Sequence, residues 1–364
     1  LALADMLVRV GFTEDAHAFA VASGLPAQSA DMPAWRRLAA FFVFHDQVRA
    51  AALRANREMA SGGRAQWYEA EIGAARDRLM QDAGLSGDPV AALAGGLGVF
   101  GSLGETGGYR SLHAGHLVQD EEIQVEQYGR HGAFPFRVID NMLSNGFQSW
   151  LWDGWAQTGG WFRNNEIVQV RSAYTRGSLR AWRLAQPGPA RDRFVAQIAG
   201  NAATERAALG RDGLAQLHAT ADTLELQAID QIAALAPDPT AFMREHWQAT
   251  IEYSIVRHEG RHALDRQEGV RGSDAELEYR AKLSQIALSR YPRLGLANVA
   301  GLSVDGPGHG RANLRILRGF RDWMRAHRYD VIGFDPALPS LAQLHLLTDD
   351  QIRAVTRSMD PWAR

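Results

Sequence analysis

Apolar positions recur every three or four residues through residues 240–267: Trp247, Ile251 and Ile255, with His258, His262 and Asp265 continuing the stripe. That spacing predicts one long helix. The run contains no proline and a single glycine, Gly260, and Asp238-Pro239-Thr240 ahead of it supplies a helix start. The stripe therefore carries two histidines to the end of a buried face. A second helix is expected from Ser273, which forms a capping box with Glu276 and is followed by Asp274 at the positive end of the helix dipole. Glu278 lies one turn into it, on a helix that can lie antiparallel to the first.

Elsewhere the pattern is looser. Residues 1–95 read as helical, with Phe41-Phe42-Val43-Phe44 leading into an Ala/Arg/Glu-rich stretch that Gly62-Gly63 divides into a hairpin. His17 and His45 are isolated and read as structural. Residues 94–108 are rich in glycine without the Lys-Ser/Thr of a phosphate loop, and read as a flexible connection or lid. His113 and His116, three apart, read as structural as well. Trp150, Trp152, Trp155 and Trp161 crowd ahead of Ile167-Val168-Gln169-Val170, which predicts a strand over 166–174. Residues 190–235 return to helix through Leu214, Leu217, Leu224, Ile229 and Ile232, and Pro237-Asp238-Pro239 ends that segment. Beyond the second helix a glycine-rich loop over 301–310 holds His309. Closing helices are expected around Trp323 and over 341–355, the last capped at Thr348. Three regions result: 1–95 helical, 96–236 mixed, and 237–364 helical and carrying the histidine pair.

Composition narrows the function. Hydrophobic residues make up 46% of the 364, enough for a sizeable core, and the formal net charge of −2 includes no basic block that would suggest nucleic acid as a partner. Lys282 is the sole lysine among 39 basic residues, which reads as compositional bias. There is no cysteine, so disulfides and thiolate metal sites are excluded. No apolar run is long enough to span a membrane. The chain begins at Leu1, as expected of a mature or truncated product, exported or periplasmic if an N-terminal segment was removed.

The chemistry concentrates in His258-Glu259-Gly260-Arg261-His262, an H-E-x-x-H sequence. On a helix, residues four apart share a face, so His258 and His262 can hold one metal ion while Glu259 takes a proton from its bound water. Asp265, three residues on, is expected to accept a histidine N–H. A catalytic zinc site takes three protein ligands and leaves one position for water. Glu278 is the first candidate for the third ligand, because Glu276 already has a capping role; Glu268 and Glu276 remain alternatives.

H-E-x-x-H on one helix with a glutamate on the next resembles the gluzincin class of zinc metallopeptidases, and Glu278-Tyr279-Arg280-Ala281 is similar to the E-x-x-A-D segment around the third ligand in the HtpX-like peptidases. Lys282 stands where that segment has Asp, and the gap from His262 to Glu278 is shorter than the class usually shows. The resemblance covers about thirty residues. It implies His258, His262 and Glu278 as ligands of one Zn2+ per chain, with Glu259 as general base. It also implies a mainly α, zincin-like fold with a small β-sheet beside the active-site helix. A peptide or protein substrate would lie along an edge strand of that sheet, for which 166–174 is the candidate. Tyr174, or His309 with His327 and His345 as rivals, would steady the oxyanion. Two other expectations stand beside it: a non-catalytic helical scaffold keeping a structural or vestigial metal, and a latent protease covered by its glycine-rich segment.

Overall fold

The computed structural model describes residues 61–63, 66–87, 99–106, 109–144, 159–163, 165–170, 172–210 and 213–363, with scattered helical positions between 40 and 58. His17, His45, Trp150, Trp152 and Trp155 lie outside the described residues. In chain order the elements are helix α1 (Tyr68–Asp82), strands β1 (Val99–Thr106), β2 (Tyr109–Gln127), β3 (Arg130–Ser144), β4 (Gly160–Arg163) and β5 (Glu166–Val170), then helices α2 (Ser172–Ala185), α3 (Pro189–Leu209), α4 (His218–Leu235) and α5 (Pro239–Ile251). A π-helical segment (Glu252–Glu259) runs directly into α6 (Gly260–Gln267), followed by α7 (Asp274–Ala287), α8 (Pro292–Gly301), α9 (His309–Ala326), a 3-10 helix (Ser340–Leu346) and α10 (Asp349–Met359). The fold is mainly helical with one small sheet of strand order β1-β2-β3-β5-β4.

The chain divides into two compact units, Leu1–Glu121 with Phe136–Gly159 and Val168–Ala173, and Glu122–Pro135 with Gly160–Ile167 and Tyr174–Arg364. In the first, helical positions between 40 and 58 and α1 meet at a turn over 61–63, where Gly62 takes the left-handed conformation (φ +87°) that glycine tolerates. This is the hairpin break that the paired glycines predict. Phe44, Ala51 and Ala55 are buried, as are Ile72, Ala75 and Leu79 of α1. Residues 99–106 of the glycine-rich stretch form β1, paired antiparallel with residues 109–116 of β2, and not the expected lid. His113 and His116 fall on β2, opposite Ser102 and Val99, so helical spacing does not apply to them.

The second unit carries the histidine pair. Its core gathers Leu283, Ile286, Leu296, Val299, Ile316, Phe320, Leu344 and Ile352 around α7 and α9, with a second cluster of Ile229, Ile232, Phe242 and Tyr291 around α4 and α5. Caps sit where the sequence predicts them: Asp238 accepts from Ala241 N at 2.9 Å, and Thr348 and Gln351 close a reciprocal capping box. Ser273 accepts from Glu276 N, but the Glu276 carboxylate turns away from the cap to pair with Arg315 on α9.

Three expectations change. The strand predicted over 166–174 stops at Val170, and Tyr174 lies in α2, where Tyr174, Ser178, Ala181 and Leu184 are buried with helical spacing. β5 is internal to the sheet, whose edge strands are β1 and β4. The helix expected over 190–235 is two, broken after Gly210 (φ +52°), so Leu214 and Leu217 precede α4.

Candidate metal centre

The helix predicted over 240–267 is continuous but not uniform. From Glu252 to Glu259 it widens to a π-helix, in which Gly260 N–H reaches Ile255 O five residues back. The side chains follow the wider spacing: Arg257 Nη2 lies 3.1 Å from Glu252 Oε1, a pair five residues apart. Hydroxyls at its start bond back one turn, Thr250 to His246 O at 2.8 Å and Ser254 to Thr250 O at 2.7 Å, a habit that bends helices. The Arg257 carbonyl accepts from Gln127 Nε2 of β2 at 2.8 Å. His258 and Glu259 thus end the π segment, while Gly260, Arg261 and His262 open α6. Gly260 has a packing reason: a Cβ there would sit 2.8 Å from Val125 Cγ1 of β2.

The structure brings His258, His262 and Glu278 together. Their ligand atoms all lie within 4.8 Å of one another, with His258 Nε2 3.4 Å from Glu278 Oε2 and His262 Nε2 3.5 Å from Glu278 Oε1. His258 is buried, the other two are half-buried, and the two imidazoles meet edge to face at 5.0 Å. Glu259, the expected base, adjoins His258 and is half-buried. Glu268 caps the exposed end of α6 and Glu276 is held by Arg315, so neither joins the group.

The hydrogen bond at His258 fixes its tautomer. Nδ1 lies 2.9 Å from Gln285 Oε1, while Gln285 Nε2 lies 3.1 Å from Asn298 Oδ1 and 3.4 Å from Gly295 O. Two acceptors face one end of the amide, so that end is the NH2, and the other is the carbonyl oxygen. An amide oxygen only accepts, so Nδ1 carries a hydrogen and Nε2 is the ring nitrogen that faces Glu278. Asp265, expected in this role, accepts from Arg261 Nε at 3.1 Å and from Arg280 at 2.8 and 2.7 Å. Gln285 lies seven residues past Glu278 on the same face of α7, the spacing that would have flagged it.

A carboxylate and two imidazole nitrogens therefore converge on one another. Glu278 Oε2 is buried and has no aligned hydrogen-bond donor among the described residues, although His309 Nδ1 stands 2.8 Å away. Burial pushes the Glu278 carboxyl up, but contacts from His258, His262 and His309 outweigh it and hold the group far below the usual carboxylate range. Burial pushes His262 down, and Glu278, Glu259 and Asp265 more than restore it, leaving it above the ordinary value. Two imidazoles and a carboxylate are a donor set that could hold a metal ion: tetrahedral ligands about 2.1 Å from one ion stand about 3.4 Å apart, and the two histidine nitrogens lie 3.4 and 3.5 Å from different oxygens of Glu278.

Arg261, inside the motif, is fully buried. Its guanidinium makes two bonds to Asp360 (2.9 and 3.0 Å) and one to Ser284 (2.7 Å), and it lies 3.7 Å from the Trp362 ring centre. The residues after α10 thus clamp helix α6, a contact the sequence did not disclose.

The remaining candidates are placed as follows. His309 opens α9 with its side chain 65% exposed, beside Glu278. The Tyr174 hydroxyl is 2.9 Å from Ser254 Oγ, whose own hydrogen goes to Thr250 O, so Tyr174 donates. Burial, the largest influence, pushes that phenol well above its ordinary range. His327 stacks on Trp323 at 4.4 Å, and His345 lies on the 3-10 helix.

Comparison with protein-family models, with curated proteins and with solved structures found no match.

Proposed function

We propose that this chain is a zinc metallopeptidase of gluzincin type, in which His258, His262 and Glu278 hold one Zn2+ and Glu259 is the general base. One observation carries the reading: two imidazoles and a carboxylate converge with their ligand atoms within 4.8 Å of one another, and the Gln285 bond turns His258 Nε2 toward Glu278. Zinc in such a site supplies a water acidified to a pKa of about 7 and a Lewis acid for the scissile carbonyl. Glu259 takes a proton from the attacking water as its oxygen bonds to the carbonyl carbon, then delivers it to the nitrogen as the C–N bond breaks. An extended peptide pairs with β4, the sheet edge in the same compact unit as the metal helix. Among the described residues no helix is long and apolar enough to cross a membrane.

A second reading rests on His309. Its Nδ1 lies 2.8 Å from Glu278 Oε2, and its recruitment as a fourth protein ligand would make the site structural and not catalytic. Metal analysis and a peptide-cleavage screen decide between them. One zinc per chain, largely lost in Glu278→Ala, with cleavage abolished in a zinc-replete Glu259→Gln, supports the peptidase. Zinc that disappears in His309→Ala, with no cleavage by the wild type, supports the closed site. A folded wild type that takes up no zinc overturns both.

A further inference from the structure

Helix α7 is buried from Tyr279 to Ala287, yet four residues of that run are polar or charged: Arg280, Lys282, Ser284 and Gln285. Three have partners on or beside the metal helix: Arg280 pairs with Asp265, Ser284 accepts from Arg261, and Gln285 accepts from His258. Lys282 is the exception. It is 2% exposed; among the described residues its ammonium makes no hydrogen bond or ion pair, and its tip is not sealed from solvent.

Its position is defined by its neighbours on the helix. Lys282 lies one turn beyond Glu278 and about one turn before Gln285, and both of those side chains reach the histidine pair. Burial pushes the ammonium down, and the carboxylates that pull it back are Glu278 and Glu259. The two acids whose field it feels are thus the third ligand and the base. An unpaired cation inside a protein costs several kcal/mol, and folds keep such groups where the charge is used.

We propose that Lys282 is the cationic group of the site, steadying the negative charge that develops on the substrate carbonyl oxygen as water adds. The assignment rests on the peptidase reading. It replaces the two candidates drawn from the sequence, because the Tyr174 proton is committed to Ser254 and His309 Nδ1 faces Glu278 Oε2 at 2.8 Å. The charge is transient: the oxygen's electron pair re-forms the C=O bond as the C–N pair leaves with the nitrogen that Glu259 protonates, and Lys282 needs to gain or lose no proton. An arginine in a bidentate pair has its donors committed, whereas an unpaired ammonium keeps three available.

The test uses inorganic phosphate as a tetrahedral anion, followed by the visible spectrum of the cobalt-substituted full chain, together with peptide hydrolysis by the zinc form. Lys282→Met should take up as much metal as wild type, bind phosphate at least about tenfold more weakly, and lose roughly 10²–10³-fold in kcat with KM little changed. The chain has no cysteine, so Lys282→Cys carries a single thiol. Alkylating it with 2-bromoethylamine before refolding rebuilds an ammonium at nearly the length of lysine and should restore phosphate binding, which a purely structural role would not require. Equal phosphate affinity in wild type and Lys282→Met at equal metal content overturns the assignment alone. The assignment also falls if neither methionine nor the alkylated cysteine is accepted in a folded chain. Absence of metal in wild type overturns the peptidase reading and this assignment with it.

Discussion

Gln285 Oε1 accepts from His258 Nδ1 at 2.9 Å, and this bond aims the opposite nitrogen of the ring at Glu278. Losing a partner of this kind costs 10–100-fold in metal affinity in comparable sites. Gln285→Leu should therefore retain the fold and weaken zinc by about that factor, as read by competition with a chromophoric chelator. Unchanged affinity would show that packing alone orients the ring.

Gly260→Ala should destabilise the protein, although the same change inside an ordinary helix stabilises by roughly 0.5–1 kcal/mol. The added methyl meets Val125 Cγ1 at 2.8 Å, and a valine branch cannot swing aside as a long side chain can. Pairing it with Val125→Ala should recover part of the loss in urea unfolding. A more stable Gly260→Ala would refute the close approach.

Asp360→Asn should cost about 3–5 kcal/mol, because it leaves the buried Arg261 charge without its two-point partner. Replacing both residues together, Arg261→Met with Asp360→Leu, should cost much less. A double change that costs the sum of the Arg261→Met and Asp360→Leu single changes would mean the pair is not coupled.

His246 gives the fold an acid limit. It is buried with Nδ1 3.1 Å from Ser178 Oγ, and burial lowers its pKa from 6.5 to about 4. Between those values the unfolded chain holds the extra proton, so stability from this residue is complete above pH 6.5 and is lost as the pH falls toward 4. The full span corresponds to about 3 kcal/mol. In metal-free protein, His246→Phe should flatten the stability profile across that window relative to wild type; parallel profiles would exclude His246 as the cause.

The sequence disclosed the groups whose chemistry depends on short spacing. His258 and His262 are four apart, Ser273 marks the start of α7, and Glu278 follows one turn in. What it concealed depended on the third dimension or on departures from regular geometry. The hydrophobic stripe assumes 3.6 residues per turn, so it cannot show a segment in which five-residue pairs such as Glu252 and Arg257 share a face. Proximity along the chain gives Asp265 to a histidine. In space two arginines claim it, one of them from α7. Tyr174 follows four β-prone residues and counts with them in a linear pattern, although the chain turns helical at Ser172. The clamp of Asp360 and Trp362 on Arg261 joins positions about a hundred apart, and no local pattern carries it.

The π segment lies between two jobs of one helix. Upstream, Phe242, His246 and Ala249 seat the helix in the core, while downstream His258 and His262 face Glu278. An i→i+5 turn takes in about one residue more than an ordinary turn for nearly the same rotation, so removing a residue between Glu252 and Arg257 would restore the ordinary repeat with little change of angle between the halves. The core packing upstream and the aim of the histidines downstream would then both survive the loss. The widened turn is thus a spare residue stored inside the helix, and the length of this stretch can change without redesign of the bundle that holds it.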